Sequence, residues 1–373
     1  MKTVVISVTN DINTDQRIYR VANTLYRQGF DVLVVGRKKK NSFPLIPLPY
    51  RVHRIKIKFN KGPLFYAEFN LRLFFFLLLK KTTILLSNDL DTLLPNYLIS
   101  KIKRVPIIFD SHEYYTGVPE LKGRNFVRNV WKSIERAILP KLKKVYTVSD
   151  SIAIKYLKEY NINASVIKNV PYYSGIVISD MKKKLSIRND YKIIIYQGAL
   201  NVERGLEEMI EAMTHLRDNK IVLLLCGTGD IIEKLKEMAI RLNLSDKVIF
   251  TGQIPFINLK YYTAIADIGI SIERADNENY KCCLPNKLFD YIQARIPILA
   301  SPLPEIKKIF DKYNIGCLIE SHDPAHIADK VKYMLENTNQ QKLWKDTLSK
   351  AAEEYCWEIE EKEFLKLYSE YVN

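Results

Sequence analysis

The residues with the clearest chemical potential lie at the start of one predicted helix, within LPNKLFDYIQARIPILA at residues 284–300. Pro285 and Asn286 are residue types that open helices, proline in the first turn and asparagine as a cap. A helix N-terminus offers unpaired N–H groups and a partial positive charge, which suit a diphosphate, and Lys287 adds a full charge. Asp290 follows about one turn later on the same face, where its carboxylate can accept from two sugar hydroxyls. The segment predicts a nucleoside-diphosphate site, and the alternative is an ordinary capped helix with solvated charges.

The neighbouring segments predict the sheet that must position this helix. Apolar strand patterns end in glycine turns at Gly198, Gly227 and Gly252, and residues 261–273 supply a helix and a fourth strand. Four strand–helix units in about 110 residues predict a parallel sheet with crossover helices. Ligands of such sheets bind at the carboxyl ends of the strands, where these glycines fall. Combined with a basic helix start, this pattern is typical of a nucleotide-diphosphate site.

The first half carries a second group of candidate residues. The segment DSHEYY at residues 110–115 follows a predicted strand, so His112 and Glu113 fall at its carboxyl end. Asp15 and Arg17 belong to the loop after the first strand. In a parallel sheet these two positions share one edge, which is where ligands bind. For His112 the alternative is a buried, hydrogen-bonded histidine.

The chain resembles the family-4 glycosyltransferases, a large retaining family with the two-domain GT-B fold. The matching segments are YQGALNVERGLEEMIEA, LCGTGD, VIFTGQIP, ADIGISI, LPNKLFDYIQARIPILAS and NIGCLIESHDPAHIA, which cover most of residues 192–330 in the family's order. NTDQRIYRVANTLYRQGFDVLVVG and IIFDSHEYY match more loosely in the first half. The resemblance implies an α/β fold of two Rossmann-like, doubly wound parallel-sheet domains that face each other across a cleft. It also implies an acceptor in the N-terminal domain and a nucleotide sugar in the C-terminal domain.

The resemblance assigns roles to individual residues. Arg204 occupies the position of a Lys or Arg that holds the donor diphosphate, and Asp290 that of the second glutamate of a Glu-x7-Glu motif, which binds ribose. His112 is placed near the hydroxyls of the donor sugar, so we expect catalytic roles for His112, Arg204 and Lys287. The expected donor-binding residues are Gly198, Arg204, Gly227, Gln253, Asn286, Lys287, Leu288 and Asp290. The expected acceptor-binding residues are Asp15, Arg17 and Glu113.

Three positions depart from the family pattern. Cys282 occupies the position of the first glutamate, so that contact with the donor sugar is missing or comes from another residue such as Glu278. Ala199 replaces the arginine that follows the first strand's glycine, and Arg295 replaces a glycine before Pro297. These changes bear on the identity of the donor sugar more than on the class of reaction.

The triplet Asp89-Leu90-Asp91 supports a rival interpretation. A DxD after a strand is how metal-dependent GT-A glycosyltransferases hold Mn²⁺ and a nucleotide sugar. The GT-A fold has one nucleotide-binding domain, whereas this chain has a second strand–helix array with the better phosphate site. We therefore expect no metal site and no cofactor beyond the nucleotide-sugar substrate, and metal dependence of activity would separate the two folds.

The charge is distributed unevenly between the halves of the chain. Its 373 residues exceed one typical core, and an apolar content of 47% is ordinary for a globular protein. Residues 1–188 contain 34 Lys and Arg against 13 Asp and Glu, whereas residues 189–373 contain 23 against 29. A lysine-rich proteome would raise both halves, so the basic half predicts an anionic membrane surface that carries a polyprenyl-linked glycan acceptor. No recognised nucleic-acid motif accompanies the charge, so nucleic acid is not an expected partner.

The segment LFYAEFNLRLFFFLLLKK at residues 64–81 allows two interpretations. Its uninterrupted apolar run is far shorter than the ~20 residues needed to span a bilayer. It is either an interfacial helix with Arg72, Lys80 and Lys81 at the headgroups or a core helix between two strands. We favour the core helix, with partial exposure near residues 65–69.

Cysteine usage and the first residues bear on localisation. The five cysteines lie in the second half without CxxC or metal-ligand spacing, as expected for reduced thiols. The opening VVISV is too short for the apolar region of a signal peptide. We expect a cytoplasmic protein, peripheral at the inner face of the membrane. The expected domains are residues 1–175 for the acceptor, residues 176–355 for the nucleotide sugar, and a helix within residues 356–373 that crosses back to the first domain.

The combined interpretation is a retaining, metal-independent glycosyltransferase of surface polysaccharide or glycolipid assembly. It would move a sugar from a nucleotide-diphosphate donor, such as a UDP- or GDP-sugar, to a lipid-linked or saccharide acceptor. A GT-B sugar-nucleotide epimerase is one alternative, which release of an epimerised nucleotide sugar without acceptor would reveal. A non-catalytic membrane- or nucleic-acid-binding adaptor is another, and it would tolerate loss of Lys287 and Asp290.

Overall fold

The computed structural model describes residues 2–39, 42, 44–45, 47–217 and 219–371. The chain divides into two compact units. The first unit contains Met1–Asn169 together with Glu360–Asn373, and the second contains Val170–Ile359. The chain therefore passes from one unit to the other twice, a few residues from the positions 175 and 355 that the sequence suggested as boundaries.

The first unit is built on a seven-stranded parallel sheet. Its strands are β1 (Thr3–Ser7), β2 (Asp31–Lys38), β3 (Arg51–Lys56), β4 (Ile84–Asn88), β5 (Ile107–Ser111), β6 (Lys144–Thr147) and β7 (Ser165–Val166). Its helices are α1 (Gln16–Arg27), α2 (Gly62–Leu79), α3 (Leu90–Lys103), α4 (Asn125–Ile138) and α5 (Asp150–Tyr160). The strands lie in the order β3-β2-β1-β4-β5-β6-β7, so the direction of winding changes between β1 and β4.

This topology places α2, α3 and α4 on the same face of the first sheet. Helix α2 leads from the edge strand β3 to β4, α3 from β4 to β5 and α4 from β5 to β6. All three connections run in one direction across the sheet, and right-handed crossovers in one direction fall on one face. Their packing agrees, because Tyr66 of α2 and Trp131 of α4 meet edge to face with ring centroids 5.1 Å apart. The change of winding leaves a crevice at the carboxyl ends of β1 and β4, where such sheets bind ligands.

The second unit is built on a six-stranded parallel sheet. Its strands are β8 (Lys192–Gln197), β9 (Ile221–Cys226), β10 (Val248–Gly252), β11 (Ile268–Ser271), β12 (Ile298–Ala300) and β13 (Gly316–Leu318). Its helices are α6 (Met181–Lys184), α7 (Leu206–Ala212), α8 (Ile232–Arg241), α9 (Phe256–Thr263), α10 (Glu278–Cys282), α11 (Asn286–Ala294), α12 (Pro304–Lys312), α13 (Pro324–Glu336) and α14 (Thr338–Glu354). The strand order is β10-β9-β8-β11-β12-β13, which puts the change of winding between β8 and β11.

The strands of the second sheet are apolar along almost their whole length. All six residues of β9 are buried, and so are five of the six residues of β8. Continuous burial is expected where helices cover both faces of a parallel sheet. The two doubly wound parallel sheets confirm the predicted fold class.

Helix α2 differs from its predicted role as a core helix. Its buried residues are Phe65, Phe69, Leu73 and Leu77, which form one stripe, while most of its surface is exposed. Among the described residues it is the one helix whose length and composition would let it cross a membrane, and 22% of it is buried. The prediction of a core helix is therefore wrong for all but one stripe.

The last helix belongs to both units. Helix α15 (Trp357–Lys366) begins in the second unit and continues into the first. Within the first unit, Phe364 is fully buried and its ring lies 5.9 Å from that of Tyr146. The carboxylate of Glu360 accepts from the backbone N–H of Lys168 at 2.9 Å. These contacts make the end of the chain part of the first unit's core.

Candidate active site

The start of α11 lies beside the crevice between β8 and β11, with one difference from the predicted cap. Pro285 occupies the cap position with extended backbone and no side-chain hydrogen bond, and Asn286 is the first helical residue. The sequence predicted Asn286 as the cap and Pro285 in the first turn. That prediction is wrong, because the two residues have the opposite roles. A proline cap contributes no side-chain acceptor, so it does not compete with a ligand for the first N–H groups of the helix.

Lys287 and Arg204 converge on one buried carboxylate that the sequence analysis did not identify. The Lys287 ammonium donates to Oε1 of Glu273, and the Arg204 guanidinium lies 3.5 Å from the same oxygen. Ser271 donates to the other carboxylate oxygen at 2.8 Å. Glu273 is fully buried, whereas the Arg204 side chain is about one quarter exposed. The cluster holds two cations against one anion and keeps a net positive charge.

An aromatic ring lies close to each of the two cations. The Lys287 ammonium lies 4.2 Å from the centroid of the Tyr196 ring, and the Arg204 guanidinium lies 4.5 Å from that of Tyr280. Burial alone would raise the pKa of Glu273, but Lys287 and Arg204 outweigh it and lower this pKa to about 2. Glu273 is therefore ionised throughout the neutral range.

Glu273, and not Glu278, is the acid that lies among the predicted donor-binding residues. Glu278, the suggested substitute for the missing glutamate, lies at the surface and pairs with Lys281 at 2.9 Å. Glu273 instead lies two residues after the end of β11, at the sheet edge where Gly198 and Gly227 follow their own strands. Its place shortly after a predicted strand was a weak signal in the sequence, because an acid at that place has no distinctive spacing.

Asp290 is oriented by hydrogen bonds from the end of β8. The Gln197 amide donates to Oδ2 of Asp290 at 2.6 Å, and the Thr263 hydroxyl donates to the Gln197 carbonyl oxygen at 2.7 Å. Gln197 and Thr263 are buried, while Asp290 is half-buried. The carboxylate is therefore held in place on α11 and stays partly accessible, as a contact with sugar hydroxyls requires.

The glycine turns bring the backbone close to these side chains. Gly198 has a φ of +131° and Gly227 a φ of +152°, which L side chains rarely adopt. A Cβ on Gly227 would lie 1.9 Å from the carbonyl oxygen of Gly198, so the two turns touch. A Cβ on Gly198 would lie 3.8 Å from Cε of Lys287. These two predicted residues therefore line the same place as the cation cluster.

Three further residues were predicted to bind the donor: Gln253, Asn286 and Leu288. Gln253 and Asn286 are exposed, at the end of β10 and at the start of α11. Leu288 is fully buried, and its backbone N–H donates to the carbonyl of Pro285 at 3.1 Å. Both the side chain and the N–H of Leu288 are therefore used inside the fold, and its contact with the donor stays a prediction.

In the first unit, Arg17 and His112 meet at a buried carboxylate. Nε and Nη2 of Arg17 donate to the two oxygens of Asp110, both at 2.8 Å, and Nη1 donates to the carbonyl of Ile167. Arg17 is almost fully buried. The prediction that Arg17 binds an acceptor is therefore wrong, because its guanidinium is committed to the interior of the unit.

His112 is held between two carboxylates. Its Nε2 lies 3.0 Å from Asp110 and its Nδ1 lies 3.2 Å from Asp89. Burial alone would lower the pKa of His112, but Asp89 and Asp110 outweigh it and raise this pKa to about 9. His112 is therefore a cation at neutral pH with both ring nitrogens paired. The contact of His112 with a hydroxyl of the donor sugar, which the resemblance implies, stays a prediction.

Asp15 and Glu113 also lie in the crevice region of the first sheet. Asp15 caps α1 by accepting from the N–H of Ile18 at 3.0 Å, so its first role is structural. Glu113 lines a cavity of about 350 Å³ at the carboxyl ends of β1 and β4. Other residues that line it are Thr9, Arg37, Tyr66, Asp89, Asp91, Tyr115 and Glu120. Carboxylates beside aromatic rings are suited to binding a sugar, whose hydroxyls donate and whose ring faces are apolar.

Asp91 is the most unusual residue of this cavity. It is buried, and the Thr9 hydroxyl donates to its Oδ2 at 2.5 Å, while its Oδ1 is buried without a hydrogen-bond partner. Burial and the nearby charge of Asp89 raise the pKa of Asp91 to about 8. Its carboxyl is therefore largely protonated at neutral pH, and can both donate and accept a hydrogen bond.

The fold contradicts the GT-A interpretation of Asp89 and Asp91. Two complete parallel sheets exclude a protein with a single nucleotide-binding domain. Within the part of the chain that the structure describes, no group of three or more His, Cys, Asp and Glu side chains is arranged to hold a metal ion.

The chain is similar to several known proteins. It is 27% identical over 256 residues to an uncharacterized glycosyltransferase of Methanocaldococcus jannaschii, a match that covers 65% of this chain and 62% of the relative. It is 23% identical over 151 residues to the alpha-monoglucosyldiacylglycerol synthase of Streptococcus pneumoniae, covering 40% of this chain and 33% of the relative. The chain thus spans less than two thirds of the length of these relatives. The fold matches that of HepE from Anabaena, solved with UDP and glucose, with a TM-score of 0.76, 14% identity and coverage of 99% and 100% of the two chains.

Two family models account for nearly the whole chain between them. Residues 15–171 match the model of Glycosyltransferase Family 4, and residues 177–351 match that of Glycosyl transferases group 1. The two matches meet close to the boundary between the two compact units. The chain therefore belongs to the family-4, group 1 glycosyltransferases and has their GT-B fold.

Proposed function

We propose that this protein is a retaining, metal-independent glycosyltransferase that moves a sugar from a nucleotide-diphosphate donor to a lipid-linked or saccharide acceptor. The observation that carries the proposal is the cluster of Lys287, Arg204 and Glu273 between the glycine turns and the start of α11. A preorganised cationic cluster stabilises the charge that develops on a leaving diphosphate without any proton transfer. Family membership supports transferase activity.

The proposed reaction exchanges one C–O bond for another. The bond between the anomeric carbon and the diphosphate breaks, and the acceptor hydroxyl oxygen bonds to that carbon. The hydroxyl proton passes to the leaving diphosphate, so no protein base is needed. Lys287, Arg204 and the N-terminus of α11 would stabilise the departing charge, and Asp290 would hold the ribose.

We propose the cavity of the first unit as the acceptor site. Glu113, Glu120 and Asp91 offer carboxyl groups to sugar hydroxyls, and Tyr66 and Tyr115 offer aromatic faces. The neutral carboxyl of Asp91 can donate to a hydroxyl oxygen as well as accept from a hydroxyl. A glycan or a polyprenyl-linked glycan fits this chemistry better than an apolar ligand does.

We also propose a role in surface polysaccharide or glycolipid assembly, at the inner face of the membrane. The Streptococcus pneumoniae relative is named for a diacylglycerol product, which is a membrane lipid. The strong positive charge of residues 1–188 supports a location at an anionic surface.

Nucleotide binding tests the donor site. UDP, GDP and ADP should be compared in thermal-shift assays, since a ligand at 100 times its Kd adds ~2.7 kcal/mol of stability. Asp290→Asn should weaken binding of the preferred nucleotide about 10- to 100-fold, because a charge-assisted hydrogen bond is worth roughly 1.5–3 kcal/mol. The mutation should cost less with the 2′-deoxy nucleotide, which already lacks one of the two bonds.

Two results of these binding assays would contradict the proposal. If Asp290→Asn weakens ribose and 2′-deoxyribose nucleotides equally, Asp290 does not bind the ribose. If no nucleoside diphosphate stabilises the protein, the assignment of a donor site fails. Turnover that persists in the presence of a chelator would support metal independence, and transfer to an acceptor rather than release of an epimerised nucleotide sugar would exclude the epimerase.

A further inference from the structure

We infer that the outer faces of α2, α3 and α4 form a surface that docks on a bilayer containing anionic phospholipids, inserting apolar side chains among the lipid headgroups. This surface is called the docking face below. Its exposed apolar residues are Leu64, Leu71, Phe75, Leu78, Leu79, Leu94, Leu98, Ile102, Phe126 and Val130. The inference rests on the proposed membrane location, and it does not depend on the transfer reaction or on the donor site.

Helix α2 has two apolar stripes on opposite sides. The inner stripe is fully or almost fully buried. The outer stripe is exposed, with Leu71 and Phe75 at 59% and 54% and Leu79 at 84%. A surface helix of a soluble domain normally carries polar residues opposite its buried stripe. An apolar stripe on the outer side of α2 therefore needs an apolar partner.

The outer faces of α3 and α4 extend this apolar surface. Leu94, Leu98 and Ile102 recur every four residues on α3 and are all exposed, and so are Phe126 and Val130 on α4. Because the three helices lie on one face of the sheet, these residues add to the α2 stripe. Contiguous exposed apolar patches of this kind mark sites that meet another protein or a membrane.

Basic residues surround the apolar surface where α2 and α3 end. Lys80 and Lys81 follow α2, and the ammonium of Lys103 donates to the carbonyl of Lys80, which brings the two helix ends together. Lys101 and Arg104 are exposed at the same end of α3. An apolar face with lysines at its margin is the composition of a helix that lies in a membrane interface.

A basic cavity adjoins the outer stripe of α2. It has a volume of about 480 Å³ and contains Phe75 of that stripe and the neighbouring Arg72. The edge strand β3 contributes His53, Arg54 and Lys56 to its wall. Burial and the nearby charge of Lys80 lower the pKa of His53, so the cations of this cavity are Arg54, Lys56 and Arg72. A phospholipid that contacts the stripe with its chains could place its phosphate among these three side chains.

The inner stripe determines that α2 lies on a membrane and does not cross it. Phe65, Phe69, Leu73 and Leu77 pack into one core cluster with Val5 and Leu85 of the central strands and with other residues of the first sheet. Removing the helix from this cluster would expose four large apolar side chains, each worth roughly 1.5–3 kcal/mol of burial. The helix is therefore held to the sheet along its length of about 27 Å, with its outer side free to meet lipid.

Charge favours a lipid surface over a second copy of the chain. Residues 1–188 carry 34 basic against 13 acidic side chains, so two copies of this part of the chain would repel each other. Anionic phospholipids complement this charge, and each lysine close to the surface is worth about 1 kcal/mol. Of the surfaces that could cover the docking face, an anionic bilayer satisfies both its apolar residues and its charge.

The test is cosedimentation of the full chain with vesicles. The chain should bind phosphatidylcholine vesicles that contain about 30% phosphatidylglycerol, and bind pure phosphatidylcholine much more weakly. Leu71→Asp combined with Phe75→Asp should reduce binding at least about 10-fold, since both apolar contacts are lost. Lys80→Glu combined with Lys81→Glu should reduce binding to the anionic vesicles by at least about 10-fold. Ile240→Asp and Lys345→Glu, at exposed positions of the second unit, are the matched controls and should bind like the parent.

A second measurement reports insertion directly. The three native tryptophans are buried, so Leu71→Trp introduces an exposed indole whose emission should shift to shorter wavelength when vesicles are added. Ile240→Trp should show no shift. Nucleotide-induced thermal stabilisation should be the same in the docking-face variants and the parent, so loss of membrane binding is distinguishable from failure of the donor site.

Three outcomes would overturn the inference. The first is a parent chain that does not bind anionic vesicles. The second is equal loss of binding in the docking-face variants and the second-unit controls. The third is a dimer in solution that Leu71→Asp dissociates without any vesicle binding by the parent, since that would make the docking face an interface between copies.

Discussion

Glu273 sets the charge that a diphosphate would meet in the second unit. Two cations share its carboxylate, so a bound diphosphate would compete with Glu273 for Lys287 and Arg204. The carboxylate also orients the two cations before any ligand arrives, which is the condition for electrostatic stabilisation without reorganisation. We therefore expect Glu273 to position Lys287 and Arg204 before the diphosphate binds, at the cost of a lower affinity for the diphosphate.

Replacing Glu273 should separate these two effects. In Glu273→Gln the buried Lys287 ammonium loses its carboxylate, and breaking a buried ion pair costs about 3–5 kcal/mol of unfolding free energy. Nucleoside diphosphate should bind at least about 10-fold more tightly, since the competing acceptor is gone. Chemical denaturation and titration calorimetry would measure the two changes. Glu278→Gln breaks an exposed pair and should change neither, whereas weaker nucleotide binding by Glu273→Gln would show that ordering of the cations dominates.

Asp91 should make the stability of the first unit depend on pH. Burial and Asp89 raise its pKa to about 8 in the folded chain, so the folded state holds this proton more tightly than the unfolded state. The bound proton on Asp91 therefore stabilises the folded state at low pH. This stabilisation is lost as the pH rises from the pKa of Asp91 in the unfolded chain towards 8. Asp91→Asn cannot ionise, so its stability relative to the parent should rise by a few kcal/mol over that interval.

Denaturation of parent and variant at a series of pH values checks this expectation. The pKa of His112 is raised to about 9, so its stabilising charge is lost at higher pH in both proteins and largely cancels in the difference. Asp346→Asn, at an exposed position of α14, should show no such trend. A flat difference between Asp91→Asn and the parent would mean that the carboxyl is already ionised near pH 5.

At the scale of elements, the second sheet was the most predictable part of the chain. Buried parallel strands are continuous apolar runs, and their turns need glycine, so the sequence predicted β8, β9 and β10 together with Gly198 and Gly227. The cap of α11 was less predictable, because proline and asparagine both suit a helix start and only the backbone decides their order. Glu273 escaped prediction because an acid shortly after a strand has no distinctive spacing.

Helix α2 shows a different limit of the sequence. An amphipathic pattern identifies a buried face by contrast with polar residues, and α2 is apolar on both sides. Its sequence could predict a helix but could not decide how much of the helix was covered.

In the first unit, tertiary pairing decided the roles of Arg17 and His112, since their carboxylate partner Asp110 is remote from Arg17 in the chain. Residue type alone could not distinguish these buried ion pairs from a surface site.

At the scale of the whole molecule, the end of the chain is part of two folding units. Helix α15 begins with Trp357, which is fully buried in the second unit, and ends with residues that fill the core of the first. Phe364 and Tyr368 are both fully buried, with ring centroids 5.0 Å apart. Tyr368 in turn meets the ring of Phe30 at 6.1 Å. The first unit is therefore completed by residues that are remote in sequence from the rest of it.

Phe364→Ala should therefore destabilise the first unit more than the second. Removing a buried phenylalanine from a core costs about 3–5 kcal/mol, through lost burial and the cavity left behind. Hydrogen exchange should show faster exchange in β1 and β6 of the first unit, with β9 of the second unit changed much less. Phe126→Ala removes a ring that is 82% exposed and should leave both units unchanged. Equal loss of protection in β6 and β9 would instead mean that the two units unfold as one, with α15 transmitting the change between them.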